Sequence, residues 1–265
     1  MFKKITLWCE FPDTVYWKKA IKLIDFKVKI YIAVKSKKEF LEYKKKIKSK
    51  YITLAAWPIL PKSQGYWFSG LTPKKGIDKL KQFKGMDIKI DLEPPIPPFD
   101  YNNLKIVLWL IEMFFRKAKN KEYLRETIYW LAKNDTKILV NEFPLPKFYM
   151  EKLGITIEKK YNMTLQMMMY TSPPGRLLRP LVKWYNKRIL RKSLKDNKSM
   201  LASIGLIGPG ILNTEGYYRN TNDFYGDLEM VQSAGLENVT IYSIDSIMHR
   251  ENPKEWLDTL KKFTS

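Results

Sequence analysis

Apolar and polar positions along this chain keep switching between two rhythms, a short run of period two and a longer run of period near 3.6. The first extended run, Ile5 to Glu10, precedes a helical pattern from Val15 to Ile24 opened by Asp13 and Thr14. Val28 to Val34 repeats the alternation, and Ser36 stands as N-cap of a helix reaching about Ile47. A third strand, Ile52 to Ile59, leads into the loop from Pro61 to Gly70 and a helix opened by Thr72 and Pro73, where proline suits the first turn. The fourth strand ends at Glu93, before Pro94 and Pro95, and helices follow over about Tyr101 to Lys117 and Glu122 to Lys133. Lys137 to Glu142 is a fifth strand, followed through Pro144 and Pro146 by a short helix ending near Gly154. The sixth lies in Met163 to Tyr170, with Ile155 to Glu158 as an extra strand, and Pro173-Pro174-Gly175 introduces a helix to about Leu194. Met200 to Ile207 and Val239 to Asp245 complete the strands, each followed by a helix, about Asp223 to Ser233 and Asn252-Pro253 to Phe263.

Eight strand-helix units in 265 residues predict a (β/α)8 TIM barrel spanning residues 1-265 as a single domain. No Gly-x-Gly-x-x-Gly turn follows the first strand, which argues against an open dinucleotide-binding sheet. In a barrel the C-terminal strand ends share one mouth, where catalytic side chains collect.

The fourth strand carries the sharpest pattern. Met86, Ile88, Ile90 and Leu92 share one face, while Asp87, Lys89, Asp91 and Glu93 share the other. If the apolar face packs under helices, the charged face turns to the barrel interior, where Asp87 and Lys89 fill a layer as a buried ion pair and Asp91 and Glu93 reach the strand end. The other strand ends supply Glu10, Trp57, Glu142, Tyr170 and Asp245. The loop after the third strand adds Gln64, Tyr66 and Trp67, and its length and aromatic content suggest a lid or a binding loop. Carboxylates that move protons beside aromatic faces that cover sugar rings are what a carbohydrate or other polyol ligand requires.

Composition narrows the chemistry. Cys9 is the only cysteine and His249 the only histidine, so the chain cannot hold an internal disulfide framework and has little material for a Cys/His zinc site or a histidine triad. Catalysis must use carboxylates, tyrosines or lysines, and neither a metal nor an organic cofactor is assigned. The first ten residues lack the apolar core of a secretory signal, and the longest apolar stretch, Ile106 to Phe115, is interrupted by Glu112, so a cytoplasmic protein without membrane spans is expected. The net charge of +21 fits lysines spread over solvated helix faces, and it also fits attraction to an acidic surface. One segment, Arg176 to Lys198, interleaves Arg179, Lys183, Lys187, Arg188, Arg191, Lys192 and Lys195 with Leu177, Leu178, Leu181, Trp184, Tyr185, Ile189 and Leu194. Such a helix packs its apolar face on the barrel and leaves the lysines in water, or docks on acidic lipid or nucleic acid.

With these residues in view, the Asp91-Leu-Glu93 pair and the Met168-Met169-Tyr170 tripeptide resemble the family 18, chitinase-like glycoside hydrolases. That family carries Asp-x-x-Asp-x-Asp-x-Glu on strand four and Met-x-Tyr-Asp on strand six. The resemblance implies that Glu93 is the general acid, that Asp91 positions an N-acetyl group for substrate-assisted attack, and that Tyr170 hydrogen-bonds that group. The first two acids of the family run fall on Met86 and Lys89, and the residue after Tyr170 is Thr171. From the residues alone, Glu142 or Glu215 could equally partner Glu93 as nucleophile or base. Two other functions stay open. One is divalent-metal phosphoester hydrolysis on Glu10, Asp91, Glu93, Glu142 and Asp245; the other is binding without catalysis through the basic helix.

Overall fold

The structure, a computed structural model, describes residues 1-98, 102-196, 201-212 and 215-264, with backbone alone for 103, 176 and 196. Eight strands close into a barrel in chain order: β1 (Lys4–Cys9), β2 (Val28–Val34), β3 (Ile52–Pro58), β4 (Asp87–Leu92), β5 (Lys137–Glu142), β6 (Met163–Met168), β7 (Leu201–Ile204) and β8 (Asn238–Tyr242). Ten α-helices accompany them among the described residues: α1 (Trp17–Leu23), α2 (Lys37–Lys46), α3 (Lys74–Asp78), α4 (Asn103–Phe115), α5 (Lys121–Lys133), α6 (Lys147–Leu153), α7 (Gly175–Asp196), α8 (Thr221–Ser233), α9 (Ile244–Met248) and α10 (Pro253–Lys261). The fold is the α/β barrel that the alternating rhythms predict.

The chain divides into two compact units, one of Met1–Ile32, Tyr43–Leu54 and Met168–Ser265, the other of Ala33–Glu42 and Ala55–Met167. In the first unit β1 runs parallel to β2 and β8, with Trp8 opposite both Tyr31 and Tyr242, and β7 pairs with β8 so that Ser203 lies opposite Thr240. In the second, β4 and β5 pair over their full length, with Asp91 opposite Asn141, which in turn lies opposite Gln166 of β6. Residues opposite one another share a face. Each unit therefore lines one face of its strands with buried polar groups, Thr6, Ser203 and Thr240 in the first and Lys89, Asp91, Asn141 and Gln166 in the second. The opposite face is apolar: Ile88, Ile90, Ile138 and Val140 are buried in the second unit, with Leu124, Ile128 and Leu131 of α5 as their helical counterpart.

Local chemistry sets the element ends. Ser36 caps α2 by accepting from the Glu39 N–H at 3.2 Å, as its side chain predicts. Gly154 ends α6 in the left-handed region at φ 65°, and a Cβ there would lie 2.4 Å from Cβ of Lys121, so only glycine fits.

Two expectations are corrected. Residues 155-158 form no strand, and the Ile157 N–H donates to the Glu142 carboxylate and not to a neighbouring strand. β8 stops at Tyr242, because Ser243 accepts from the Ser246 N–H and caps α9, which puts Asp245 in a helical first turn and not at a strand end. Tyr101, Met200 and Lys198, named in the sequence-based helices and strand, lie outside the described residues. Among the described residues no helix is long and apolar enough to cross a membrane.

Candidate functional site

In the second unit, the polar face of β4 holds the candidate chemistry. Lys89 is fully buried, with its Nζ 2.8 Å from Oδ2 of Asp91 and 3.4 Å from the ring centroid of Trp57 on β3. The register places Asn141 and Gln166 on the same row as Asp91, and the Gln166 amide donates to Oδ1 of Asn141 at 3.1 Å. Burial pushes the Asp91 carboxyl above the usual range, against the pull of the Lys89 charge and of hydrogen bonding from Lys89, Asn141 and Trp57. Glu93 follows two residues later, just past the strand end, half-buried where Asp91 is closed off from solvent.

The loop after β3 is fastened to this strand end. The Phe68 N–H donates to the Asp91 carbonyl and the Glu93 N–H to the Phe68 carbonyl, each at 3.1 Å, while the Ile96 N–H reaches the Gly65 carbonyl at 2.9 Å. Gly65 and Tyr66 take positive φ, 100° and 64°, to make the turn. Tyr66 is buried and meets half-buried Trp67 edge-on at 5.6 Å, and Gln64 is exposed and accepts from Lys79 at 3.4 Å. The expected lid is thus a turn pinned by main-chain hydrogen bonds, with Trp67 its more accessible ring.

Glu142 goes elsewhere. It is opposite Leu92, one residue out of step with Asn141, so it lies on the apolar face and not beside Asp91. Its carboxylate accepts from the Thr156 hydroxyl at 2.9 Å and the Ile157 N–H at 3.0 Å, and burial raises its pKa against those two bonds. Thr156 and Ile157 line a cleft of about 520 Å3 on that side, together with Lys121, Arg125, Tyr129 and Lys160.

The first unit holds a second group of acids. The Tyr242 hydroxyl donates to Oε2 of Glu10, whose own N–H donates to Oδ1 of Asp245 at 3.0 Å. Asp245 is raised by burial, opposed by the Ser243 hydroxyl and the Glu10 N–H. Glu215 is pushed up to about 8, by burial first and then by the charge of Glu10. A Cβ on Gly210 would lie 2.6 Å from the Tyr242 hydroxyl oxygen and 3.1 Å from Oε2 of Glu215, so glycine is what lets the segment approach both. Tyr170 is half-buried, its ring 5.9 Å from that of Tyr242. A pKa of about 8 leaves the Glu215 carboxyl mostly protonated at neutral pH.

Sequence reasoning missed Tyr242, Asn141 and Gln166, and treated Glu215 only as a possible partner of Glu93. The available signal for Tyr242 was its place at the end of the eighth alternating run, where Asp245 drew the attention. Among the described residues no group of three or more His, Cys, Asp or Glu could hold a metal ion. Asp91 is engaged by Lys89 and Glu142 faces away from it, so these two oxygens do not converge on a cation.

No protein family model matches the chain, and no curated protein does. Solved structures share its fold. The glycoside hydrolase domain of PgaB (BpsB) from Bordetella bronchiseptica superposes with a TM-score of 0.58 at 11% identity, over 98% of this chain and 99% of that one. A putative chitinase C-terminal domain from Desulfitobacterium hafniense DCB-2 gives 0.52 at 8% identity, with both chains fully covered. A GH18 chitinase from Pseudoalteromonas aurantia gives 0.50 at 12% identity, over 98% of this chain and 100% of that one.

Proposed function

We propose that the protein is a carbohydrate-active barrel that cleaves a glycosidic bond with Glu93 as its proton donor. The observation that carries this reading is the end of β4, where half-buried Glu93 stands just past the strand, two residues beyond buried Asp91, in an eight-stranded parallel barrel. The barrels that superpose on this chain include a glycoside hydrolase domain and a GH18 chitinase, which supports a sugar as the ligand class.

The geometry suits the role. A nearby cation would draw the proton off a general acid, but the Lys89 charge is matched at 2.8 Å by Asp91, so the pair presents no net charge to Glu93. In the reaction Glu93 gives its proton to the glycosidic oxygen as the anomeric C–O bond breaks. Asp91, held by Lys89, is the positioning group, oriented to act on an N-acetyl substituent that attacks the anomeric carbon in the resemblance to family 18. Trp67 is the proposed platform for the ring, with Gln64 and Tyr66 shaping the loop, whereas Trp57, expected from the sequence to bind substrate, is fully buried with Lys89 over its ring. Glu142 is proposed as a brace for the 155-157 segment and not as the second carboxylate. Glu10, Tyr170 and Asp245 belong to the group of the first unit, where Glu215, its pKa pushed up to about 8, offers a separate proton donor.

The test is turnover of a panel of chromogenic β-N-acetylglucosaminides and unsubstituted β-glycosides by wild type and Glu93→Gln. A general acid contributes on the order of 10²- to 10⁴-fold, so the isosteric variant should lose at least about 100-fold in kcat with its melting temperature unchanged. A Glu93→Gln protein as active as wild type would remove the assignment.

A further inference from the structure

Helix α7 is built inside out. A surface helix of a globular protein turns its apolar stripe to the core and its charges to water. Here the inward stripe is Arg179, Lys183, Asn186 and Leu190, spaced four, three and four residues apart. The two cations on it are consumed by α8: Arg179 lies 2.6 Å from Asp223 and 3.4 Å from Asp227, and Lys183 is 3.6 Å from Asp227. Asp227 is fully buried and also accepts from the hydroxyls of Thr171 and Tyr218, so this attachment is specific. With the first half of the inner face taken by ion pairs, Leu177, Leu178, Leu181, Trp184 and Tyr185 turn outward, while Leu190 stays buried farther along.

The outward face is ordered along the helix axis. Leu177, Leu178, Leu181, Trp184 and Tyr185 occupy its first half with 52-94% of their surface exposed. Arg188, Arg191, Lys192 and Lys195 continue the same face, all exposed, in the second half. Over 22 residues, about 33 Å of helix, the described outward side chains include no acid. The expectation that this helix buries its apolar face on the barrel and leaves its cations in water is thus reversed for its first half.

We propose that this face of α7 docks on an anionic lipid bilayer, lying in the plane of the interface. The leucines would enter the acyl boundary, Trp184 and Tyr185 would sit at headgroup level, and the four cations would meet lipid phosphates. Charge decides between occupants. A purely apolar partner groove would not use four cations that have no acidic partner among the described residues, and a nucleic acid would not use a leucine-rich half, whereas an anionic membrane surface uses both. The net charge of +21 adds long-range attraction of the same sign. This surface is independent of the sugar-directed chemistry proposed for β4.

The experiment is cosedimentation of the whole chain with sucrose-loaded vesicles of phosphatidylcholine alone, or of phosphatidylcholine with one third phosphatidylglycerol, at low and high salt. Two variants accompany it, Leu177→Ser/Leu181→Ser/Trp184→Ser and Arg188→Gln/Arg191→Gln/Lys192→Gln. Both alter exposed residues only, and circular dichroism melts verify that they fold. Wild type is expected to bind the phosphatidylglycerol vesicles and to leave phosphatidylcholine in solution. Each variant should bind at least about tenfold more weakly, given roughly 1 kcal/mol for each cation near such a surface. Equal binding to both vesicle types, or binding unaffected by either variant, would overturn the proposal. So would two other results: failure of wild type to bind anionic vesicles while it retains a single-stranded RNA oligonucleotide, or self-association that the apolar variant abolishes.

Discussion

Replacing Lys89 with methionine keeps most of the side-chain volume and takes away one charge, which isolates the buried ion pair of β4. At 2.8 Å and an effective dielectric constant of about 20, the attraction between Lys89 and Asp91 is about 6 kcal/mol before desolvation is set against it. Removing one partner of a buried pair typically costs about 3-5 kcal/mol, because the other is left charged without compensation. Asp91 has one escape, which is to take up a proton, and burial already pushes its carboxyl in that direction. Protonating a carboxyl of ordinary pKa near 3.9 costs about 4 kcal/mol at pH 7 but only about 1.5 kcal/mol at pH 5, at 1.36 kcal/mol per unit. The sign follows: an acid with a raised folded pKa takes stability away as pH rises between its unfolded and folded values. Lys89→Met should therefore lose about 4 kcal/mol at pH 7 and recover more than half of that at pH 5, relative to wild type at the same pH. Urea denaturation of wild type, Lys89→Met, Asp91→Asn and the double variant at both pH values gives these differences and the coupling between the two residues, expected to be about 3 kcal/mol at pH 7. A single variant within 0.5 kcal/mol of wild type at pH 7, judged against the few tenths that such measurements resolve, would refute the ion-pair reasoning. An equal loss at both pH values would refute the protonation step.

Glu215 gives a pH dependence of the same sign in the first unit. Its folded pKa of about 8 lies above the ordinary 4.5, so its contribution is complete below pH 4.5 and is lost as pH rises to 8, by a few kcal/mol at most. Glu215→Gln should melt close to wild type at pH 5 and clearly above it at pH 8.5; parallel melting curves across that range would contradict the burial of this carboxyl. For Glu142, alanine leaves the Ile157 N–H without its acceptor and should cost about 1-3 kcal/mol, with faster amide exchange at Ile157, while glutamine keeps an acceptor and should cost less than about 1 kcal/mol. If Glu142→Gln instead abolished turnover of a sugar substrate with stability intact, the brace assigned to Glu142 would give way to a catalytic role.

Most of the barrel was readable because period two and period 3.6 are local signals, and β2 and β5 were bounded to the residue. The burial of Asp91 on the polar face of β4 was readable for the same reason, while Glu93 falls just past the strand end, where strand alternation no longer fixes a face. What depended on a partner was not. Leu139-Val140-Asn141-Glu142 has no clean alternation, and only the pairing of Asp91 with Asn141 decides that Glu142 points the other way. Tyr242 meets Glu10 across 232 positions of sequence, a contact that no window along the chain contains. Asp245 shows a smaller loss, because Ser243 and Ser246 carry a helix cap that competes with the strand pattern running into them. The helix α7 is the most instructive case. Its periodicity correctly marked two faces, but periodicity carries no sign, and the usual assumption that the apolar face goes inward supplied the wrong one for its first half. There the sign was set by Asp223 and Asp227 on α8, which take Arg179 and Lys183 inward and so expose Leu177, Leu178 and Leu181. Two buried or half-buried acids on a neighbouring helix thus determine which surface this protein shows to the outside, and the Asp227 carboxylate, which also holds Thr171 and Tyr218, is the group on which that orientation rests.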